Sequence, residues 1–196
     1  MGIFDSHDRV ITKVYNPLEI KKDSIMEFYS GLLENTGIYH FKKIIEVTIE
    51  DRTFSRYLIY SKLENTEYVF ETFPLEGGQL ETYLYNLTDS ISFSEDFLRD
   101  VAGQLYITTP NGDEFRREFE PELEDRVEGV RGKIKVYDLE SEKIERNTHI
   151  TLWDYTREEE DETVYLYLEL TDDNGMFRVF EGKIIEKAFY KVYQGT

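Results

Sequence analysis

The sequence predicts an α+β fold that is mainly β. About ten short, mostly antiparallel strands are expected in meanders and hairpins, as a sandwich or flattened barrel, with two short helices. Three observations carry this. Apolar side chains recur at every second residue over 43–73 and again over 133–193, the period of a strand with one buried face. Turn residues punctuate both stretches at short intervals. The chain holds 15 Tyr and 13 Phe, large rings that anchor a core and that disordered chains lack. Strand is expected near half of all residues and helix below a fifth. The 196 residues suit a single domain spanning 1–196, with two β sub-lobes, about 1–101 and 102–196, as the internal division.

The elements follow in order. Residues 9–15 read as a short strand closed by Asn16-Pro17. Ile25, Phe28, Leu32 and Leu33 fall at helical spacing, with Asp23 or Ser24 as a cap, so a helix is expected over 23–34. Ile45, Val47 and Ile49 then alternate with Glu46, Thr48 and Glu50. Phe54 to Tyr60 and Glu67 to Phe73 continue that pattern, giving a three-stranded meander. Pro74 and Gly77-Gly78 break it. Leu80 to Leu87 reads as a strand or a helical turn, with Tyr and Thr favouring strand. Ser94 caps a second short helix to Val101.

Leu105 to Thr108 and Phe115 to Phe119 flank Pro110-Asn111-Gly112, the clearest hairpin of the chain. The stretch 120–132, acidic and broken by Pro121, Gly129 and Gly132, reads as a connector. Strands are expected at 133–139, 148–155, 163–171 and 176–181, with a tight turn at Asp172-Asp173-Asn174-Gly175. A last strand falls near 188–193. The two halves share a style without a repeat of residues.

Charge narrows the function classes. Asp and Glu number 41 against 23 Lys and Arg, a net charge of -18, where small domains carry roughly 2 to 8. Such a field repels nucleic-acid backbones and anionic membranes and draws basic partners. No stretch nears the roughly 20 apolar residues that span a bilayer, so no membrane insertion is expected. Cysteine is absent, which removes disulfides, thiol catalysis and cysteine-based metal sites together. The first residues lack a basic region and an apolar run, so a cytoplasmic location is expected. Repulsion between two such charged copies favours a monomer over a homodimer.

No phosphate-binding glycine loop or nucleophile elbow is present. His7, His40 and His149 stand apart without metal-ligand spacing, and no metal and no cofactor is expected. The densest charge run, Glu158-Glu159-Glu160-Asp161-Glu162, lies between two strand patterns. It reads as a solvated hairpin loop, or as a contact patch for a basic protein. The lone tryptophan defines a candidate cleft of Trp153, Asp154 and Arg157, against the alternative of a core anchor. Arg56 and Arg157 read as cations in local ion pairs. Catalytic residues are not expected.

Asn16-Pro17-Leu18-Glu19-Ile20-Lys21-Lys22, the β segment ending Arg56-Tyr57-Leu58-Ile59, Tyr68-Val69-Phe70 and the stretch from Glu81 to Phe97 form one set of segments. Trp153-Asp154-Tyr155-Thr156-Arg157, Tyr165 to Leu170 and Phe180-Glu181-Gly182 form another. In this order they resemble the YjfK-like bacterial proteins of unknown function. The resemblance implies a cytosolic protein, in some cases encoded near envelope-stress proteins, and supplies no catalytic residues. The expected function is that of a bacterial cytoplasmic accessory protein, a non-enzymatic acidic domain that binds a basic protein, with immunity-like blocking of a basic toxin as one form. The alternative is a small-molecule-binding β-barrel or an enzyme using carboxylate chemistry.

Overall fold

The computed structural model describes residues 13–29, 37–63, 65–118 and 128–195. Strands make up 61% of it. There are twelve: β1 (Ile25–Phe28), β2 (Ile38–Ile49), β3 (Arg52–Ser61), β4 (Thr66–Pro74), β5 (Leu80–Ser92), β6 (Tyr106–Thr108), β7 (Glu114–Arg117), β8 (Val130–Asp138), β9 (Lys143–Glu158), β10 (Thr163–Thr171), β11 (Met176–Ile184) and β12 (Tyr190–Tyr193).

Two meanders, β2-β3-β4-β5 and β8-β9-β10-β11, join first strand to first and last strand to last. The β2–β8 and β5–β11 ladders are both antiparallel, and together they close the sheet into an eight-stranded barrel. Closure removes the free edges that an open sheet of these strands would carry. The sequence expectation of about ten strands is therefore corrected to twelve, and the barrel form is the one adopted.

Alternation sorts the side chains into an inside and an outside. Val47, Phe54, Val69, Tyr85, Ile134, Ile150, Tyr167 and Phe180 pack together within the barrel. A register shift in β2 between Phe41 and Lys43 changes its phase, so that both Phe41 and Ile44 join the outer cluster. That cluster also holds Tyr57, Phe70 and Leu84, covered by Val14, Ile20, Met26 and Phe28 of the N-terminal part and by Tyr190 of β12. A second outer cluster, over β9, β10 and β11, is covered by Ala102, Ile107 and Phe115.

Several element expectations change. Residues 25–28 are β1, a strand between β12 and β2, where a helix was expected. Met26 and Phe28 are buried while Ile25 and Glu27 are only partly so. Four residues cannot separate the two periods, and sheet pairing on both sides decides. Residues 30–34 of that expected helix lie outside the described residues. So do 9–12 of the expected first strand. Lys13 to Tyr15 is irregular, tied to the barrel wall by Tyr15 N–H donating to Glu46 Oε2 (2.6 Å) and by Ser55 Oγ donating to the Tyr15 carbonyl. Of the expected connector, 120–127 lies outside the described residues, as does Phe119 of the strand before it, and Val130 to Gly132 already belongs to β8.

Among the described residues, only the second of the two expected helices is found. It is a single turn, α1 (Glu95–Phe97), capped by Ser94 Oγ accepting from Phe97 N–H at 3.1 Å and running into a wider turn over Leu98–Ala102.

Candidate functional site

The barrel interior is divided at its waist by four charged side chains. Arg56 of β3 faces Glu71 of β4, and Glu169 of β10 faces Arg178 of β11, each as direct cross-strand partners. Arg56 Nε donates to Glu71 Oε2 at 2.6 Å, and its Nη1 reaches across the barrel to Glu169 Oε2 at 2.7 Å. Glu169 also accepts from Arg178. Arg56, Glu71 and Glu169 are all buried. Two cations and two carboxylates cancel, which is how a buried group of this kind is tolerated.

The Arg56 guanidinium lies 4.3 Å from the Tyr167 ring centre, within cation–π range. Burial opposes its charge, but Tyr167 and Glu71 outweigh that and hold it above its ordinary value. Sequence reading placed Arg56 among ordinary local ion pairs. Its phase could have revealed more, because Arg56 alternates with Phe54 and Leu58, Glu71 with Val69 and Phe73, and Glu169 with Tyr165 and Tyr167. A charged residue in the apolar phase of a strand signals a polar group inside.

A cavity opens on each side of the waist. The one of about 550 Å³ lies at the end where the β2–β3, β4–β5 and β9–β10 turns gather. Its aromatic wall is Tyr83 and Tyr85 of β5 with Tyr165 and Tyr167 of β10. Tyr83 meets Tyr165 edge-on at 5.2 Å, and Tyr85 meets Tyr167 at 4.9 Å. These two strands are not neighbours, because β11 runs between them. Gly182 makes the contact possible: it is the register partner of Tyr165 on one side and of Tyr85 on the other. A Cβ there would stand 2.5 Å from Tyr85 Cδ1, so a glycine is needed for this close approach.

Asp154 of β9 lines this cavity together with Glu81, Glu118, Arg52 and, from the waist, Arg56 and Glu71. Its side chain has no hydrogen bond or ion pair among the described residues. The residue is exposed, its carboxylate standing in the open space of the lumen with the barrel wall around it. Enclosure pushes its pKa up to about 6, Arg56 opposes that rise, and Glu71 and Glu118 add to it. Burial and the hydrogen bond to Glu81 raise Tyr83, burial and Glu71 raise Tyr85, and burial raises Tyr167. All four phenols of the wall are thus neutral at physiological pH; Tyr165 is raised by burial as well.

The candidate cleft of Trp153, Asp154 and Arg157 is split between the two faces of β9. Trp153 points outward into the second outer cluster, 3% exposed, its ring 5.7 Å from Phe177. Arg157 also sits outside, over the Phe115 ring at 4.9 Å and paired with Asp113 and with Glu159 (2.7 Å). Asp154 alone reaches the lumen. The run Glu158 to Glu162 ends β9 and turns into β10, closed by Glu159 N–H donating to the Glu162 carbonyl at 2.8 Å. All five are exposed, and Glu162 pairs with Lys183 at 3.1 Å. This loop stands at the same end of the barrel as the Asp154 cavity.

The cavity at the other end, about 830 Å³, holds Lys42, Lys43, Glu67, Glu145 and Arg146 at its rim. Its lysines are paired, Lys42 with Glu67 and Lys43 with Glu145 (2.6 Å). Among the described residues no three His, Asp or Glu side chains converge as metal ligands, and no helix is long and apolar enough to cross a membrane. No family model, curated protein or solved structure matches the chain, which leaves the resemblance to the YjfK-like proteins on the residues quoted for it.

Proposed function

We propose that this protein is a small-molecule-binding β-barrel whose ligand enters the Asp154 cavity. The observation that carries this is an unpartnered carboxylate on the wall of an open, tyrosine-lined cavity of about 550 Å³. Ligand sites are of this size, apolar in most of their wall, with a few converging polar groups. A barrel built only for stability would gain by filling such a space. The test is a ligand-observed NMR screen of a fragment library containing ammonium, carboxylate and neutral aromatic compounds. It is run on the wild type and on Val130→Trp, which places a large ring at the cavity mouth from an exposed position at the start of β8. Ligands of the lumen compete with one another and are lost in the variant. No binder below millimolar Kd, or binders indifferent to Val130→Trp, would overturn the reading.

Docking of a basic protein on Glu158 to Glu162 is the second reading. It is favoured by the exposure of all five side chains and by the absence of any ion pair on Glu160 and Asp161 among the described residues. Its mark is an on-rate that falls steeply with salt.

A further inference from the structure

We propose that the ligand of the Asp154 cavity is an organic cation, a primary or quaternary ammonium on an aromatic or aliphatic body, with Asp154 as its counter-ion and the tyrosines as its walls. This rests on the lumen being a ligand site and adds the chemical class.

The charge of the cavity decides against an anion. At the waist Arg56 and Arg178 are matched by Glu71 and Glu169, so neither arginine has charge to offer a ligand. Of the remaining lining groups, Glu81, Glu118 and Asp154 are acidic and only Arg52 is basic. Glu81 already accepts from Tyr83 Oη at 2.6 Å. Glu118 and Asp154 are the carboxylates left to meet a cation, and Asp154 is the one on a barrel strand, beside Tyr85 and Tyr167.

A second, independent feature is Tyr167. Its side chain lines the cavity floor and is 3% exposed, and its hydroxyl has no hydrogen-bond partner among the described residues. The hydroxyl is itself shut off from the open space, so what Tyr167 offers a ligand is its ring. The walls suit the same ligand, since the negative faces of aromatic rings attract cations. One ring of this wall already does so within the protein, Tyr167 with Arg56.

Enclosure by the barrel raises Asp154, and Glu71 and Glu118 add to the rise against Arg56 and Arg117. The titratable and charged groups facing it are Arg56 of β3, Glu71 of β4, Tyr85 of β5, Tyr167 of β10, Arg117 and Glu118 at the end of β7, and Tyr155 on its own strand. A cation that binds only the ionised carboxylate has full affinity above about pH 6 and loses it as pH falls below. At one unit under the pKa the loss is about tenfold.

The experiment is calorimetric titration of wild-type protein with benzylamine, benzyltrimethylammonium, benzyl alcohol and benzoate, at pH 7.5 and at pH 5. The two cations are expected to bind at least tenfold more tightly than the alcohol and the acid, and to weaken about tenfold at pH 5. Asp154→Asn is expected to remove that preference. If the alcohol or benzoate binds as well as the cations, in a manner lost in Val130→Trp, the lumen remains a ligand site and the cation assignment is wrong. If none of the four binds, both fall. The comparison at two pH values uses the wild type alone, so the outcome does not depend on a variant folding.

Discussion

Asp154 faces the lumen because β9 alternates, and its neighbours Trp153 and Tyr155 face out for the same reason. In sequence the three are adjacent, which is why Trp153, Asp154 and Arg157 looked like one cleft. Proximity along a strand separates side chains by face, and only the carboxylate belongs to the cavity. Its ionisation should be visible in stability. Enclosure in the barrel pushes the folded carboxyl up to about 6 from an ordinary 3.8. Between those values the folded state holds more protons than the unfolded state, so stability falls as pH rises. The contribution of the protonated group is complete below about pH 4 and is lost as pH passes 6. Asparagine does not ionise. Asp154→Asn should match the wild type near pH 4, gain on it up to about pH 6, and hold a constant advantage above. Cavity water screens the group, so the gain is on the order of 1 kcal/mol, well short of the full shift. Urea denaturation of both proteins from pH 4 to 8 measures it, and a difference independent of pH would show that the residue stays ionised throughout.

The strands of the two meanders were legible wherever one face is apolar and the other polar, as in Ile45-Glu46-Val47-Thr48-Ile49. They were harder to read where an inward position carries charge. Arg56, Glu71 and Glu169 interrupt otherwise apolar phases, and their partners lie 15 and 113 positions from Arg56, beyond any local pattern. β1 was misread because four residues fit both periods. The four-way waist predicts how β3, β4, β10 and β11 depend on each other. Arg56→Met removes the cation that Glu71 and Glu169 share. Glu169 keeps Arg178, but Glu71 is left buried without its partner, a loss of about 3–5 kcal/mol. Adding Glu71→Gln to that variant takes away the stranded charge and should recover part of the loss. Equilibrium denaturation of the two single variants and the double variant gives the coupling. A cost below about 1 kcal/mol for Arg56→Met would mean that water reaches the waist and solvates the carboxylates unaided.

At the scale of the whole molecule, barrel closure rests on the β2–β8 and β5–β11 ladders, whose partners lie some 80 to 100 positions apart, so composition and periodicity could offer only a choice between sandwich and barrel. The net charge of -18 could be read directly, but its placement could not. The β2–β3, β4–β5 and β9–β10 turns bring Glu50, Asp51, Glu76 and the run 158–162 to one end of the barrel. Like charges gathered at one end repel. Replacing Glu158, Glu159, Glu160 and Glu162 by Gln and Asp161 by Asn relieves that repulsion and leaves the lumen and both outer clusters intact. Two ion pairs are lost, Arg157 with Glu159 and Lys183 with Glu162, both at the surface, where such pairs contribute roughly 0–1 kcal/mol. In 10 mM salt the screening length is about 30 Å, long enough for the whole acidic end to act on the loop, and the variant should equal or slightly exceed the wild type in stability. In 1 M salt that length falls to about 3 Å, and the gain should disappear. Urea midpoints at the two salt concentrations check this. A variant less stable than the wild type by more than about 1 kcal/mol in low salt would show that the loop is held by its ion pairs, and that the acids at this end brace the barrel mouth as well as charging it.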